Sequence, residues 1–235
     1  MKILQFLLLF TAVVFADEFY AKLEPINTYV VKSSTSGEVI YANENIEGKT
    51  ANNTTIVKVD AKVNRIDLDG SLKKLKIINN MIAIENANYK KLKNVSTKSA
   101  FEKDAQRIKV LNLQSQASDL KTKIASLRDQ IKKKTLVEKN RYIYSVDVKK
   151  GDYVNPGSLL YVAKDLSKGK LEIFLPINTA DQYKDKTIYL DGIKSDIKIN
   201  KIYEVADSKN ISSYKCEIVI PNPKQFSKLV KVEFK

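Results

Sequence analysis

Residues that commonly carry out chemistry are scarce in this chain of 235 residues, and their spacing is not catalytic. The sequence contains no His and no Trp, and Cys216 is its single cysteine. A His-based triad, an imidazole general base and the common zinc sites are therefore excluded. Carboxylates are frequent, but no pair has catalytic spacing, and neither a Gly-rich phosphate loop nor a serine elbow occurs. The sequence predicts a protein that is not an enzyme and holds no cofactor.

Cys216 belongs to a segment in which every second residue is apolar. The alternating positions are Tyr214, Cys216, Ile218 and Ile220. This alternation is typical of a half-buried strand, so we expect the thiol to pack in a core and not to act as a nucleophile. A single Cys forms no internal disulfide. With no His and two Met, one of them Met1, the chain also lacks a soft metal site.

The net charge of +14 comes mainly from lysine, because only four of the 41 basic residues are Arg. Recognition of bases and phosphates favours the planar arginine side chain, so we expect no nucleic-acid partner. The lysine charge has two possible roles. One is to steer association with acidic surfaces of proteins or lipid, and the other is to form a solvated face.

Residues 1–16 form a predicted signal peptide. Lys2 precedes an apolar run of about thirteen residues, which suits a signal peptide better than a membrane span. Val14, Phe15 and Ala16 form an acceptable cleavage pattern before Asp17. In a two-membrane bacterium the exported chain would reach the periplasm. If the segment is instead retained as an anchor, the chain would stay associated with the inner membrane.

Residues 61–136 are predicted to form an antiparallel helical hairpin about 50 Å long, given a rise of 1.5 Å per residue. The second half shows apolar residues at alternating steps of three and four, as in a coiled-coil seam. These seam positions are Val110, Leu113, Ala117, Leu120, Ile124, Leu127 and Ile131. The first half predicts a weaker seam that includes two asparagines. Its positions are Leu68, Leu72, Leu75, Asn79, Ile82, Asn86 and Tyr89.

A polar turn separates the two predicted helices. It spans Lys93–Lys98, and Ser99 and Glu102 follow it with the spacing of a capping box. The second helix is therefore expected to begin directly after Ser99.

Two strand-rich stretches, 29–60 and 137–163, flank the hairpin and resemble each other as strand, Gly turn, strand. Such a split repeat predicts that the halves pair into one β-module. Residues 164–235 contain further short strands, with a hairpin turn at Asp191 and Gly192. This last part is predicted to be a small antiparallel β-barrel or sandwich.

The order of these parts resembles the periplasmic adaptor subunits, or membrane fusion proteins, of the haemolysin-D-like family, across 29–235. Residues 146–165, reading VDVKKGDYVNPGSLLYVAKD, are similar to the family's second half-lipoyl signature. The resemblance implies an elongated α+β chain: a split lipoyl-like β-module with an inserted coiled-coil hairpin, followed by a small antiparallel β-barrel. Arg141 stands where the family has a Gly before these strands.

The resemblance also implies a function and partners. It implies a non-catalytic adaptor that links an inner-membrane transporter of RND or ABC type to an outer-membrane channel of the TolC type, as a homo-oligomeric ring. Many family members carry an Arg, a Leu and a Ser across the hairpin tip, where the channel docks. Leu92 and Ser99 keep that spacing, and Asn88 occupies the Arg position. Helix capping by Ser99 and seam packing by Leu92 are alternative roles.

Two other protein classes share parts of this pattern, a lipoyl or biotinyl carrier and a coiled-coil scaffold. A lipoyl or biotinyl carrier needs its Lys on a tight turn between the two half-modules, where this chain has about 75 residues of helix. A coiled-coil scaffold that oligomerises through 60–136 would need no transporter or channel.

Overall fold

The computed structural model describes residues 17–235, so the predicted signal peptide, 1–16, lies outside the described residues. This part of the chain forms fourteen strands and two α-helices. In chain order they are β1 (Asp17–Lys22), β2 (Glu24–Lys32), β3 (Gly37–Ala42), β4 (Thr50–Ala51), β5 (Thr54–Val59), α1 (Lys62–Lys93), α2 (Ala100–Lys133), β6 (Thr135–Glu138), β7 (Arg141–Val146), β8 (Tyr153–Val154), β9 (Leu159–Pro176), β10 (Ile188–Leu190), β11 (Ile193–Lys194), β12 (Ile199–Ile202), β13 (Ser213–Pro221) and β14 (Leu229–Phe234).

The described chain divides into two compact units, one made of 30–163 and the other of 17–29 with 164–235. Within 17–235, no helix combines the length and apolarity needed to cross a membrane. The α+β class, with a helical hairpin and antiparallel β-structure, is confirmed.

In the unit 30–163, strands from before the hairpin pair with strands from after it. β5 pairs with β6, β3 with β8 and β4 with β7, all antiparallel. Their inward residues form a core that includes Val39, Ala51, Ile56, Val57, Ile143, Val154 and Leu160, each at most 2% exposed. Gly37 allows close approach of β3 to β5, because its φ is +151° and an added Cβ would lie 2.7 Å from Val59 Cγ1.

A buried carboxylate joins three strands of this β-module. Glu138, at the end of β6, accepts a hydrogen bond of 2.9 Å from the Tyr161 hydroxyl and pairs with Arg141 at 3.2 Å. Burial, and then the hydrogen bond to Glu138, raises the pKa of Tyr161 well above its ordinary value. The hydroxyl therefore stays protonated and donates to the carboxylate.

Removing this hydroxyl should destabilise the β-module. Tyr161→Phe is expected to lower the free energy of unfolding by about 2 kcal/mol, because a buried hydrogen bond to a charged group contributes roughly 1.5–3 kcal/mol. Chemical unfolding followed by circular dichroism measures the change. Tyr153→Phe removes the same atom from a side chain that is 69% exposed and should have little effect. Equal stability of the two variants would contradict the prediction.

The hairpin begins and ends on the β-module within the same unit. The Lys62 backbone N–H donates to the Asp60 carboxylate at the start of α1, and Lys134 Nζ donates to the Asp60 carbonyl at 2.6 Å. Close by, Asn64 of α1 donates to Gln130 of α2 at 2.9 Å. These contacts fix the base of the hairpin to the strands on either side of it.

On α2, the residues of the predicted seam face α1. Val110, Ala117, Ile124 and Leu127 are buried, and Leu113, Leu120 and Ile131 are half-buried.

On α1, the structure corrects every second position of the predicted seam by one residue. Ser71 and Ile78 are buried where the sequence favoured Leu72 and Asn79, both of which are exposed. The inward positions run at steps of four and three: Asn64, Leu68, Ser71, Leu75, Ile78, Ile82, Glu85, Tyr89 and Leu92. Small and polar residues therefore occupy part of the seam on α1. Asn79 is not one of them, because it is exposed.

The other unit is built from two sets of antiparallel strands. β14 pairs with β1 over its whole length and with β10 on its other side, and β10 pairs with β11. β13 pairs with β12 and with the 168–176 part of β9. The core between them contains Leu171, Ile173, Leu175, Tyr183, Ile188, Cys216, Ile218, Val232 and Phe234.

The antiparallel β-barrel or sandwich predicted for 164–235 takes an open form, because the described strands of this unit do not close into a barrel. β11 pairs over two residues only, and residues 195–198 carry no strand before β12 begins. No ladder of this unit therefore joins β11 to β12. The sequence also missed β1, which pairs with β14 from Asp17 opposite Phe234 to Lys22 opposite Leu229.

Candidate functional site at the hairpin tip

The free end of the hairpin is a short connection between the end of α1 and the N-cap of α2. The backbone N–H groups of Asn94 and Val95 donate to the carbonyls of Lys91 and Leu92, both at 3.2 Å, and finish α1. Residues 94–99 then lead into α2, and all six are exposed. The connection is polar apart from Val95, so it offers backbone and side-chain groups to a partner.

Ser99 is the N-cap of α2, and the predicted capping box is confirmed. The Glu102 N–H donates to Ser99 Oγ at 3.2 Å, and the Ser99 N–H donates to Glu102 Oε2 at 3.0 Å. Lys98 donates to the other carboxylate oxygen at 2.7 Å, and that bond, followed by those from Ser99, lowers the pKa of Glu102. The box is therefore intact while Glu102 is ionised and weakens as the pH falls through the lowered pKa. The hydroxyl of Ser99 already has a structural role.

Leu92 and Asn88 lie on α1 within two turns of its end. Leu92 is half-buried at the last inward position of the seam. Asn88 is exposed, and its side-chain amide donates to Glu85 Oε2 at 3.4 Å. The three residues predicted for channel binding thus lie at the same end of the hairpin, but only Asn88 and Ser99 present exposed side chains.

Glu85 and Gln106 form a polar contact across the seam close to the tip. The Gln106 side-chain amide donates to both the carboxylate and the carbonyl of Glu85. This bond, followed by the one from Asn88, lowers the pKa of Glu85. The pair sets the alignment of the two helices near their free ends, since an unmatched polar group between helices is costly.

Phe101 is the most exposed apolar side chain of the tip, and sequence reasoning missed it. It is the second residue of α2 and is 82% exposed, while Val95 is 40% exposed. Steps of three and four back from Val110 give positions 106, 103 and 99, so Phe101 falls off the seam frame. An aromatic residue off the frame, in the first turn of a capped helix, was the signal that could have revealed it.

The tip is also basic. Residues 85–109 contain seven Lys and Arg against three Asp and Glu, a net +4. Lys90, Lys91 and Lys93 occupy the last turn of α1, where positive charge also favours the helix dipole. An exposed apolar side chain at a basic end of the hairpin is suited to a partner surface that is apolar at its centre and acidic at its rim.

Nothing in the described residues indicates catalysis at this end or elsewhere. In 17–235, no group of three or more His, Cys, Asp or Glu side chains is placed to hold a metal ion. Cys216 is fully buried, and burial raises the pKa of its thiol to about 12.

Comparison with solved structures defines the class of fold. A membrane fusion protein, Spr0693 from Streptococcus pneumoniae R6, is 14% identical and aligns over 93% of this chain and 98% of its own, with a TM-score of 0.68. A MacA–MexA chimera carrying the Pseudomonas aeruginosa MexA α-hairpin domain is 16% identical, over 94% and 81%, with a TM-score of 0.67. MacA from Actinobacillus actinomycetemcomitans is 15% identical, over 94% and 79%, with a TM-score of 0.54.

The structural neighbours are thus membrane fusion proteins, and this chain shares their fold over nearly all of its length. At the level of sequence, no protein-family model and no curated protein matches the chain.

Proposed function

We propose that this chain is a non-catalytic periplasmic adaptor that links an inner-membrane transporter to an outer-membrane channel. The transporter is of RND or ABC type, the channel is of the TolC type, and the cargo is a small molecule or a protein. In this proposal residues 1–16 direct export, and several copies assemble into a ring.

The observation that carries the proposal is the shared fold. An alignment over 93% of this chain and 98% of a membrane fusion protein includes both β-units and the hairpin. The exposed tip fits the proposal, because Phe101, 82% exposed, and the lysines of the last turn of α1 lie at the same free end of the hairpin. An adaptor needs recognition surfaces and a rigid spacer, and it needs no catalytic group.

The tip is where the channel docks in this proposal. Phe101 and Val95 supply apolar contact, Asn88 and Ser99 supply polar groups, and Leu92 supports them from the end of the seam. Basic residues around them steer the acidic rim of the channel by long-range attraction.

The experiment that tests the function is capture of the assembled complex. The full chain, tagged at its C-terminus, is cross-linked in its host, purified from the membrane fraction and analysed for a transporter and a channel. Export of the cargo is measured in a strain lacking the chain. Recovery of both partners and loss of export are expected. Recovery of the chain alone, with export unchanged, would reject the adaptor and favour the coiled-coil scaffold.

A further inference from the structure

The loop between β12 and β13 exposes two aliphatic side chains that are not part of the core of their unit. Val205 is 81% exposed and Ile211 is 78% exposed. Among the large apolar side chains of the described chain, only Phe101 at the hairpin tip is more exposed. Exposed apolar surface that is gathered at one place marks a site of contact with a protein or a membrane.

This loop is ordered, so it presents the two side chains in a fixed arrangement. The Asp207 carboxylate accepts hydrogen bonds from the backbone N–H groups of Lys209 and Asn210, at 2.8 and 2.7 Å. The Ile177 N–H, in the segment after β9, donates to the Ser212 carbonyl at 3.2 Å. Ile177 is itself 37% exposed and adds a third aliphatic side chain beside the loop.

The chain enters this unit at the same end as the loop. β1 begins at Asp17, whose carboxylate accepts a hydrogen bond of 2.8 Å from the Tyr183 hydroxyl. Tyr183 belongs to the segment 177–187, which crosses this end from the last residue of β9 to the first residue of β10. Ile177, which is bonded to the loop, starts the same segment. Residues 1–16 therefore join the described chain at the end from which the loop projects.

A lipid bilayer is the partner that fits this end. Residues 1–16 contain an apolar run of about thirteen residues, which enters the membrane during export and stays there if it is retained. While that run is in the membrane, the loop is held next to the bilayer surface. Residues 203–212 contain Glu204, Asp207 and Lys209, a net −1, so attraction to anionic lipid is not the source of affinity. Aliphatic side chains gain affinity for the interface by leaving water.

We propose that the loop between β12 and β13 binds the bilayer surface by inserting Val205 and Ile211 among the lipids, with Ile177 at the edge of the contact. Two aliphatic side chains give weak and reversible binding, so the loop orients this unit on a membrane to which the chain is already close. The inference rests on the export included in the proposed function, but it needs neither the transporter nor the channel.

Environment-sensitive labels on the full-length chain test the proposal. Val205→Cys and Ile211→Cys chains are each labelled with a nitrobenzoxadiazole dye and mixed with vesicles of phosphatidylethanolamine and phosphatidylglycerol. Cys216 is fully buried, so the unsubstituted chain is the blank. We expect a blue shift and at least about a twofold rise in emission at both positions, because the dye leaves water for the interface. Spin-labelled lipids should quench this emission.

An exposed aliphatic residue elsewhere in the same unit supplies the control. Ile193 is 74% exposed and follows the turn at the other end of β10, so a dye on Ile193→Cys should stay in water. Val205→Asp in the labelled Ile211→Cys chain should reduce the rise in emission at least about fivefold, because a carboxylate is costly to bury. Ile193→Asp in the same chain should not.

Each result decides the matter. Emission that stays aqueous at both loop positions, or that rises equally at Ile193→Cys, would overturn the proposal and leave this end of the unit to a protein partner. If transporter and channel are still captured from the host, only the lipid contact is rejected and the adaptor function stands.

Discussion

Replacing Ile78 by Asp is expected to destabilise the hairpin severely, whereas the same change at the next residue, Asn79, is expected to be tolerated. Ile78 is 5% exposed between the helices, and Asn79 faces solvent. Removing a buried isoleucine and placing a carboxylate in the cavity should cost about 3–5 kcal/mol. A carboxylate at Asn79 changes little, because surface substitutions are usually within about 0.5 kcal/mol.

Helix content and melting temperature by circular dichroism measure this difference. The two substitutions are one position apart and introduce the same charge, so net charge does not separate the two variants. If Asn79→Asp melts as early as Ile78→Asp, the seam of α1 is not the one in the structure. Ile124→Asp on α2, also buried, should match Ile78→Asp.

The sequence could predict the existence of the α1 seam but not its frame. Two frames share Leu68, Leu75, Ile82 and Tyr89 and differ at the residues between them. One frame uses Leu72 and places asparagines inside, and the other uses Ile78 and places Ser71 and Glu85 inside. Hydrophobicity alone does not separate them, because each contains polar residues.

The partner helix makes the choice. Gln106 of α2 satisfies Glu85 by hydrogen bonds, which removes the cost that a pattern analysis assigns to an inward carboxylate. On α2 itself all seven positions from Val110 to Ile131 are apolar, so its frame could be predicted from the residues alone.

The β-structure could likewise be predicted from the sequence only in part. Alternation and glycine turns predict the strands around the hairpin and the antiparallel character of the C-terminal part. They do not predict closure, because that depends on whether short edge strands such as β11 and β12 find partners. β1 was missed because its partner, β14, lies at the other end of the chain. Pairing over such a separation leaves no local signal.

At the tip, the local signals that were visible led to capping and packing residues, while Phe101 was overlooked. Ser99 is occupied by its capping bonds, and Leu92 is half-buried, so substitutions of either disturb the fold as well as any contact. In particular, Leu92→Asp should abolish export, but loss of the seam end would contribute to that result. The exposed side chain of Phe101 separates binding from folding.

Phe101→Asp is therefore expected to abolish channel binding and export while leaving the fold intact. The ring is 82% exposed, so its removal costs no core packing, and Asp in the first turn of a helix interacts favourably with the helix dipole. A central aromatic contact typically contributes about 2 kcal/mol or more, which corresponds to at least about a 30-fold loss of affinity. The introduced carboxylate also repels an acidic partner.

Cross-linking or pull-down of the outer-membrane channel, beside an export assay, measures this loss, and circular dichroism verifies the fold. Ile108→Asp adds the same charge about two turns away, at an exposed position of α2, and should leave channel capture intact. Asn88→Arg should keep or raise channel capture, because an exposed arginine at this end of the hairpin adds a bidentate donor for an acidic rim. If Phe101→Asp captures the channel as well as the unsubstituted chain, the tip is not the docking site, and the coiled-coil scaffold becomes the better account of the hairpin.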